Sequence, residues 1–274
     1  MKLTAVLLSN LLFASSILAA PSGSRLADRV ARRAARNRST HPLIPASGPK
    51  TDGGNNASQI SYSSNWAGAV YTSPPSGQTF NGVSGSFNVP SPKAGSGSES
   101  SWSSSAWVGI DGDTYGDAIL QSGVDFTVDS SGDVSYDAWY EWYPDGAYDF
   151  DGISFSAGDE VSVTITASSS SAGKVVLENT STGTTVTKSL TAPSSSNDLG
   201  GQNAEWIVED YDENGSAVPL ANFGTVTFTD CKATTSEQTL DASGAGIIEM
   251  EDSNGNVITD VSIPSDSEVK VTYV

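Results

Sequence analysis

Short runs of alternating residues, each soon broken by Gly, Asp, Asn, Ser or Pro, recur from about residue 60 to Val274. Glu160–Ala167, Lys174–Asn179, Gly224–Thr229 and Glu268–Val274 are examples. The region is rich in Ser, Thr, Val and aromatics and poor in helix formers. Period-two runs at this spacing, with no helical period between them, predict an all-β sandwich or barrel. Asp111-Gly112 and Asn214-Gly215 read as turns between strands. About 215 residues are enough for one large β-domain with a sizeable core. No internal repeat is visible. The Ser-rich stretch Ser96–Ser105 reads as a loop.

The chain begins differently. Residues 1–20 read as a secretory signal peptide: Lys2 supplies a charge, Ala5–Leu18 an apolar core, and Leu18-Ala19-Ala20 a small-residue end. The apolar run is too short to span a bilayer, and no later run could. The expected product is exported and extracellular. Residues 21–55 read as a basic propeptide and linker, and residues 56–274 as the functional domain, whose mature start falls near residues 52–61. The propeptide carries Arg25, Arg29, Arg32, Arg33, Arg36, Arg38 and Lys50 against Asp28 alone. Leu26, Val30 and Ala34 recur at helical spacing, so Ser24–Asn37 reads as a basic helix. From residue 51 onward there are 31 Asp and Glu, five Lys and no Arg, a formal charge of −26. A basic segment tethered to so acidic a body is attracted to it. That design suits an inhibitory propeptide released when carboxylates protonate, better than a nucleic-acid or membrane ligand.

Histidine is nearly absent. The only one, His41, lies in the basic leader. Ser-His-Asp and Cys-His nucleophiles are therefore excluded from the mature domain, as are histidine-based zinc sites. No metal or cofactor is called for, and any acid-base chemistry falls to carboxyl groups. Cys231 has no partner in the chain and reads as a buried, inert thiol. Three glycosylation sequons, at Asn56, Asn179 and Asn214, predict surface placement.

Three segments carry the chemistry. They are Trp107–Asp113 leading to Ala118–Asp125, then Tyr136–Pro144, then Ala204–Tyr211. On strands, alternate residues share a face. One face then groups Ile119, Gln121, Gly123 and Asp125. Another groups Asp137, Trp139, Glu141 and Tyr143. A third groups Glu205, Ile207, Glu209 and Tyr211. Carboxylates interleaved with large aromatics suggest a groove for an extended polymer. The plainer alternative is an acidic outer face whose aromatics cap the core.

These segments, together with Ser64-Asn65-Trp66-Ala67-Gly68, resemble the glutamic peptidases, the eqolisin family of acid endopeptidases. The resemblance covers most of the chain after residue 60. It implies a sandwich of two seven-stranded antiparallel sheets, concanavalin- or jelly-roll-like, with a catalytic groove on a concave sheet face. By the family's pattern the catalytic glutamine is Gln121 and the catalytic glutamate Glu209. Alternation alone leaves Glu205, Glu209 and Glu141 equivalent. Trp66, Trp107, Trp139 and Tyr143 would line subsites, with Asp111, Asp125, Asp137 and Glu141 supplying hydrogen bonds. Some members carry a cysteine just after Gly-Asp-Thr; Tyr115 stands there in this chain. The resemblance implies protein or peptide substrates, the chain's own propeptide as inhibitor, and a monomer. Two other readings remain open at this point. One is a secreted jelly-roll glycoside hydrolase using Glu141 and Glu209; the other is a carbohydrate-binding module.

Overall fold

The computed structural model of the chain describes residues 38–46 and 60–274. The signal peptide, the proposed basic helix, Lys50 and Asn56 lie outside these residues. Two eight-stranded sheets stack face to face. The first runs, from edge to edge, Thr184–Thr191, Ala172–Asn179, Glu160–Ser169, Phe80–Asn88, Thr225–Thr235, Glu268–Tyr273 and Thr259–Ser265, with Thr239–Leu240 paired beside Thr225–Thr235. The second runs Ile60–Ser63, Gly246–Met250, Trp66–Tyr71, Ala204–Glu209, Ser101–Ile110, Ile119–Asp129, Val134–Tyr143 and Tyr148–Asp149. A sheet of three two-residue strands, Arg38–Ser39, Asp212–Glu213 and Ser216–Ala217, completes the fold. The predicted all-β sandwich is the observed architecture.

Two details differ from the expected pair of seven-stranded antiparallel sheets. Each sheet gains an eighth member of only two residues, Thr239–Leu240 and Tyr148–Asp149. At one edge Ile60–Ser63 runs parallel to Gly246–Met250. That pairing is possible because a long stretch of chain separates the two strands, which a parallel connection requires.

The first sheet shows the alternation that marks a half-buried surface. In Glu160–Ser169, Val161, Val163 and Ile165 are fully buried and their neighbours face outward. These residues meet Val108, Leu120, Val124, Phe126, Trp142 and Trp206 of the second sheet in one core. Burying each such side chain contributes about 1.5–3 kcal/mol. The second sheet is different. Nine of the ten residues of Ser101–Ile110 are buried, because this sheet is covered on both faces. Its outer face carries a second apolar cluster of Trp66, Val70, Trp107, Ile119, Trp139, Ile207 and Ile248.

Three sequence expectations are corrected or refined. The end of the Ser-rich stretch is not a loop: residues 101–105 open a central strand. Ser103, Ser104 and Ser105 are buried there because their hydroxyls find partners, among them Thr127 Oγ1 at 2.6 Å and the Ala221 carbonyl at 3.2 Å. Asn179 is not on the surface. Its amide is buried and donates to the Ser154 carbonyl and to Asp159 Oδ2, both at 2.9 Å. Asn214, by contrast, is exposed on the Asn214-Gly215 turn, where both residues have positive φ. Cys231 is free and fully buried, and burial pushes its thiol pKa up to about 12.

Candidate active site

Residues in register on neighbouring strands point to the same side of a sheet. The second sheet therefore presents three transverse rows on its outer face. Glu205, Gly109, Gln121 and Glu141 form one row. Ile207, Trp107, Gly123 and Trp139 form the next. Glu209, Ser105, Asp125 and Asp137 form the third. The three groups inferred from alternation thus come together on one face. Gly123 is a requirement of the middle row: a Cβ there would lie 2.1 Å from the Ala106 carbonyl oxygen and 2.5 Å from Trp107 Cβ.

Residues 38–46 cross this face as a strap. Arg38–Ser39 pairs with Asp212–Glu213. Leu43 N donates to the Gly112 carbonyl at 2.8 Å, and Ser64 N to the Ile44 carbonyl at 2.9 Å. Asn65 clamps the strap: its Oδ1 accepts from Ile44 N at 2.9 Å, and its Nδ2 donates to the Pro42 carbonyl at 3.3 Å. Leu43 packs on the apolar cluster of the outer face.

The strap's side chains enter the rows. Arg38 is buried and grips Asp125 with two bonds, Nε to Oδ2 at 2.6 Å and Nη2 to Oδ1 at 2.8 Å. Its Nη2 also donates to Ser105 Oγ at 3.2 Å. Its guanidinium carbon lies 3.9 Å from the Trp139 ring centre and 4.4 Å from that of Tyr211. A planar guanidinium between two aromatic faces, paired to a carboxylate by two bonds, is a strong arrangement. Burial alone would lower the Arg38 pKa; Asp125 more than reverses that and raises it. The Thr40 hydroxyl donates to Glu141 Oε2 and accepts from Gln121 Nε2. Gln121 Nε2 also donates to Glu141 Oε2 at 3.1 Å.

Glu209 is fully buried under the strap. Trp107 Nε1 donates to its Oε2 at 2.8 Å, and His41 N to its Oε1 at 3.3 Å. Burial raises its pKa well above the ordinary carboxylate value, and neighbouring Arg38 only partly offsets this. Burial likewise pushes Glu141 up to about 7, again against Arg38. The arrangement holds a protonatable carboxyl and a primary amide on one wall, roofed by aromatics.

The other expected site residues fall as follows. Trp66 and Trp107 meet edge to face with ring centres 5.0 Å apart. Trp139 donates from Nε1 to Ser105 Oγ at 3.1 Å. Tyr143 is half-buried at the margin, with the His41 ring 6.3 Å away. Asp137 is half-buried, in register with Asp125. Asp111 is turned away from the rows. Its carboxylate accepts the backbone N–H groups of Gly200, Gly201, Gln202 and Asn203 at 2.7–3.3 Å, and so orders the entry to Ala204–Glu209. Sequence reasoning did not anticipate Thr40, Ser105 or the clamp at Asn65. Only Asn65 carried a signal, as part of the Ser64–Gly68 motif. Among the described residues, no group of three or more His, Cys, Asp or Glu is placed to hold a metal.

Comparison with known proteins decides between the open readings. Residues 64–273 match the model of the peptidase A4 family. The chain belongs to the peptidase A4 family. It is 44% identical over 285 residues to aspergillopepsin-2 of Aspergillus niger, covering 98% of each chain. It is 42% identical over 280 residues to scytalidopepsin B of Scytalidium lignicola, covering 99% of this chain and 98% of that protein. A crystal structure of scytalido-glutamic peptidase with a transition state analog inhibitor superposes with a TM-score of 0.68 at 41% identity, over 77% of this chain and 98% of that one. As a peptidase A4 member, or eqolisin, the chain is a glutamic endopeptidase. The glycosidase and binding-module readings are not favoured.

Proposed function

We propose that Glu209 and Gln121 hydrolyse peptide bonds as a pair, in an enzyme made as a secreted, self-inhibited precursor. The observation that carries this reading is their shared wall, with a segment of the chain's own backbone lying across it. With a substrate in place of the strap, Glu209 takes a proton from a water that attacks the scissile carbonyl carbon. The new C–O bond leaves negative charge on the carbonyl oxygen, which Gln121 Nε2 receives by an N–H donor. The same proton then passes from Glu209 to the departing nitrogen as the C–N bond breaks. No covalent intermediate is formed. Trp66, Trp107 and Trp139 wall the site, and Asp125, Asp137, Glu141 and Tyr143 hold the substrate chain around it.

Residues 38–46 act as the inhibitory end of the propeptide. The Thr40 hydroxyl accepts from Gln121 and donates to Glu141, and the His41 amide donates to Glu209. Residues 1–20 direct export, and the mature enzyme works as a monomer. Removing the strap readmits water to Glu209 and lowers its pKa toward the acidic range where a base is needed. Activity is expected between about pH 2 and 5, set by carboxyl groups. It should resist pepstatin, serine and cysteine reagents and EDTA, since no paired aspartates or metal take part. The test is hydrolysis of acid-denatured protein against hydrolysis of xylan or glucan at acid pH. Cleavage of the polysaccharide alone, or loss of proteolysis with EDTA, would overturn the reading.

A further inference from the structure

Glu205 is the least explained group on the catalytic face. It is fully buried, and neither carboxyl oxygen has a hydrogen-bond partner among the described residues. A buried carboxyl without partners is costly and calls for a reason. Its neighbours across the sheet are Val70 on one side and Gly109 on the other, and Gly109 is in turn opposite Gln121. Gly109 has no side chain, so the Glu205 carboxyl reaches over it toward Gln121. A Cβ built on Gly109 would lie 2.8 Å from Glu205 Oε1 and 3.2 Å from Gln121 Cβ. The glycine is the gap through which the two side chains face one another.

Gln121 has a complementary deficiency. Its Nε2 is bonded to Thr40 and Glu141, but its buried Oε1 has no partner. We propose that Glu205 is a positioning residue for Gln121: its carboxyl O–H donates to Gln121 Oε1, directly or through one water. The amide is then fixed at both ends. Glu141 Oε2 accepts one Nε2 proton, Glu205 supplies the donor at Oε1, and the second Nε2 proton stays aimed at the reacting carbonyl once Thr40 has left.

The environment of Glu205 suits a donor. Burial, then Asp111 and Asp113 on the turn after Ser101–Ile110, raise its pKa well above the ordinary value. The facing groups that titrate are these two aspartates and Glu141 beyond Gln121; Val70 contributes none. As pH rises and Glu205 ionises, the donor becomes an acceptor and the amide loses its anchor. Because its pKa is raised, Glu205 keeps the amide anchored through the acid range and releases it only on the alkaline side.

The inference rests on the proposed role of Gln121, and the experiment separates the two. Purified, activated Glu205→Leu, Glu205→Gln and Gln121→Ala are compared with wild type on one peptide substrate from pH 2 to 7. Glu205→Leu should lower kcat by about tenfold to a hundredfold through loss of alignment, with KM little changed. Glu205→Gln keeps a neutral donor, so it should retain most of kcat and extend activity to higher pH. Wild-type kcat in Glu205→Leu, with Gln121→Ala inactive, would overturn this inference and leave the catalytic pair intact. Full activity in Gln121→Ala would remove the pair and this inference with it. Should Glu205→Leu fail to fold, Glu205→Gln decides alone: an unchanged alkaline limb overturns the proposal.

Discussion

Glu141 illustrates how one side chain is constrained from several directions. It accepts from Gln121 and Thr40, lies 4.0 Å from Arg38, and is fully buried. In the proposed mechanism its carboxyl anchors the Gln121 amide without reaching the reacting atoms. Glu141→Gln should therefore lower kcat/KM by about tenfold, against the larger loss of about a hundredfold or more expected for removing a group that touches the reaction. Steady-state kinetics near pH 4 check this; an inactive Glu141→Gln enzyme beside an active Glu209→Gln would transfer the base role to Glu141. Arg38 ties the strap to the sheet through a buried ion pair with Asp125. Removing one partner of a buried ion pair costs about 3–5 kcal/mol, or a hundredfold or more in binding. A peptide of residues 38–46 should inhibit the activated enzyme, and its Arg38→Ala form should be weaker by at least that factor. Equal inhibition constants would remove Arg38 from the clamp.

The strands of the site sheet are held together by close approach as much as by hydrogen bonds. Trp107 and Trp139 close over Gly123, where a methyl group would collide with backbone. Gly123→Ala should destabilise the domain by about 3 kcal/mol, seen as a lower urea midpoint. A variant of wild-type stability would mean that the middle row can open freely. The same element explains what could be read from sequence. Glu160–Ser169 and Glu268–Tyr273 alternate because one face is solvated, and their period was visible. Ser101–Ile110 is covered on both faces, so its burial is continuous and its serines imitate a loop. The polar rows of this sheet were legible because Gln121, Glu141 and Glu209 are polar where a buried strand would otherwise be apolar. The strap was legible only as charge, a basic propeptide including Arg38 drawn to an acidic body; Arg38-Ser39-Thr40-His41 has no periodicity, and its place is set by distant partners, Asp125, Asn65 and Asp212. Proposing Glu209 rather than Glu205 rests on the family resemblance and has no local signal, since both lie on one face of one strand.

Across the molecule, burial raises several carboxyls together. Glu205 and Glu209 lie well above the ordinary range, Glu141 at about 7 and Asp210 at about 8, where Asp212 adds to burial. For each, the folded state favours the neutral form. The stability they contribute is fully present below the unfolded value of about 4. It is lost as pH rises through the folded values, over roughly pH 4–8. For Glu141 alone, the change from 4.5 to about 7 corresponds to roughly 3 kcal/mol. Thermal midpoints should therefore fall from pH 4 to pH 8. Part of the fall should persist in the domain freed of residues 38–46, because the charged neighbours that raise Glu205 and Asp210, namely Asp111, Asp113 and Asp212, all lie outside the strap. A midpoint as high at pH 8 as at pH 4 would contradict this. Wild type, Glu209→Gln and Gln121→Ala, each activated and shown folded by circular dichroism, are assayed on denatured protein near pH 3.5 with pepstatin present. The account predicts proteolysis by wild type and losses of about a hundredfold or more in both variants. Full activity in either variant would contradict it.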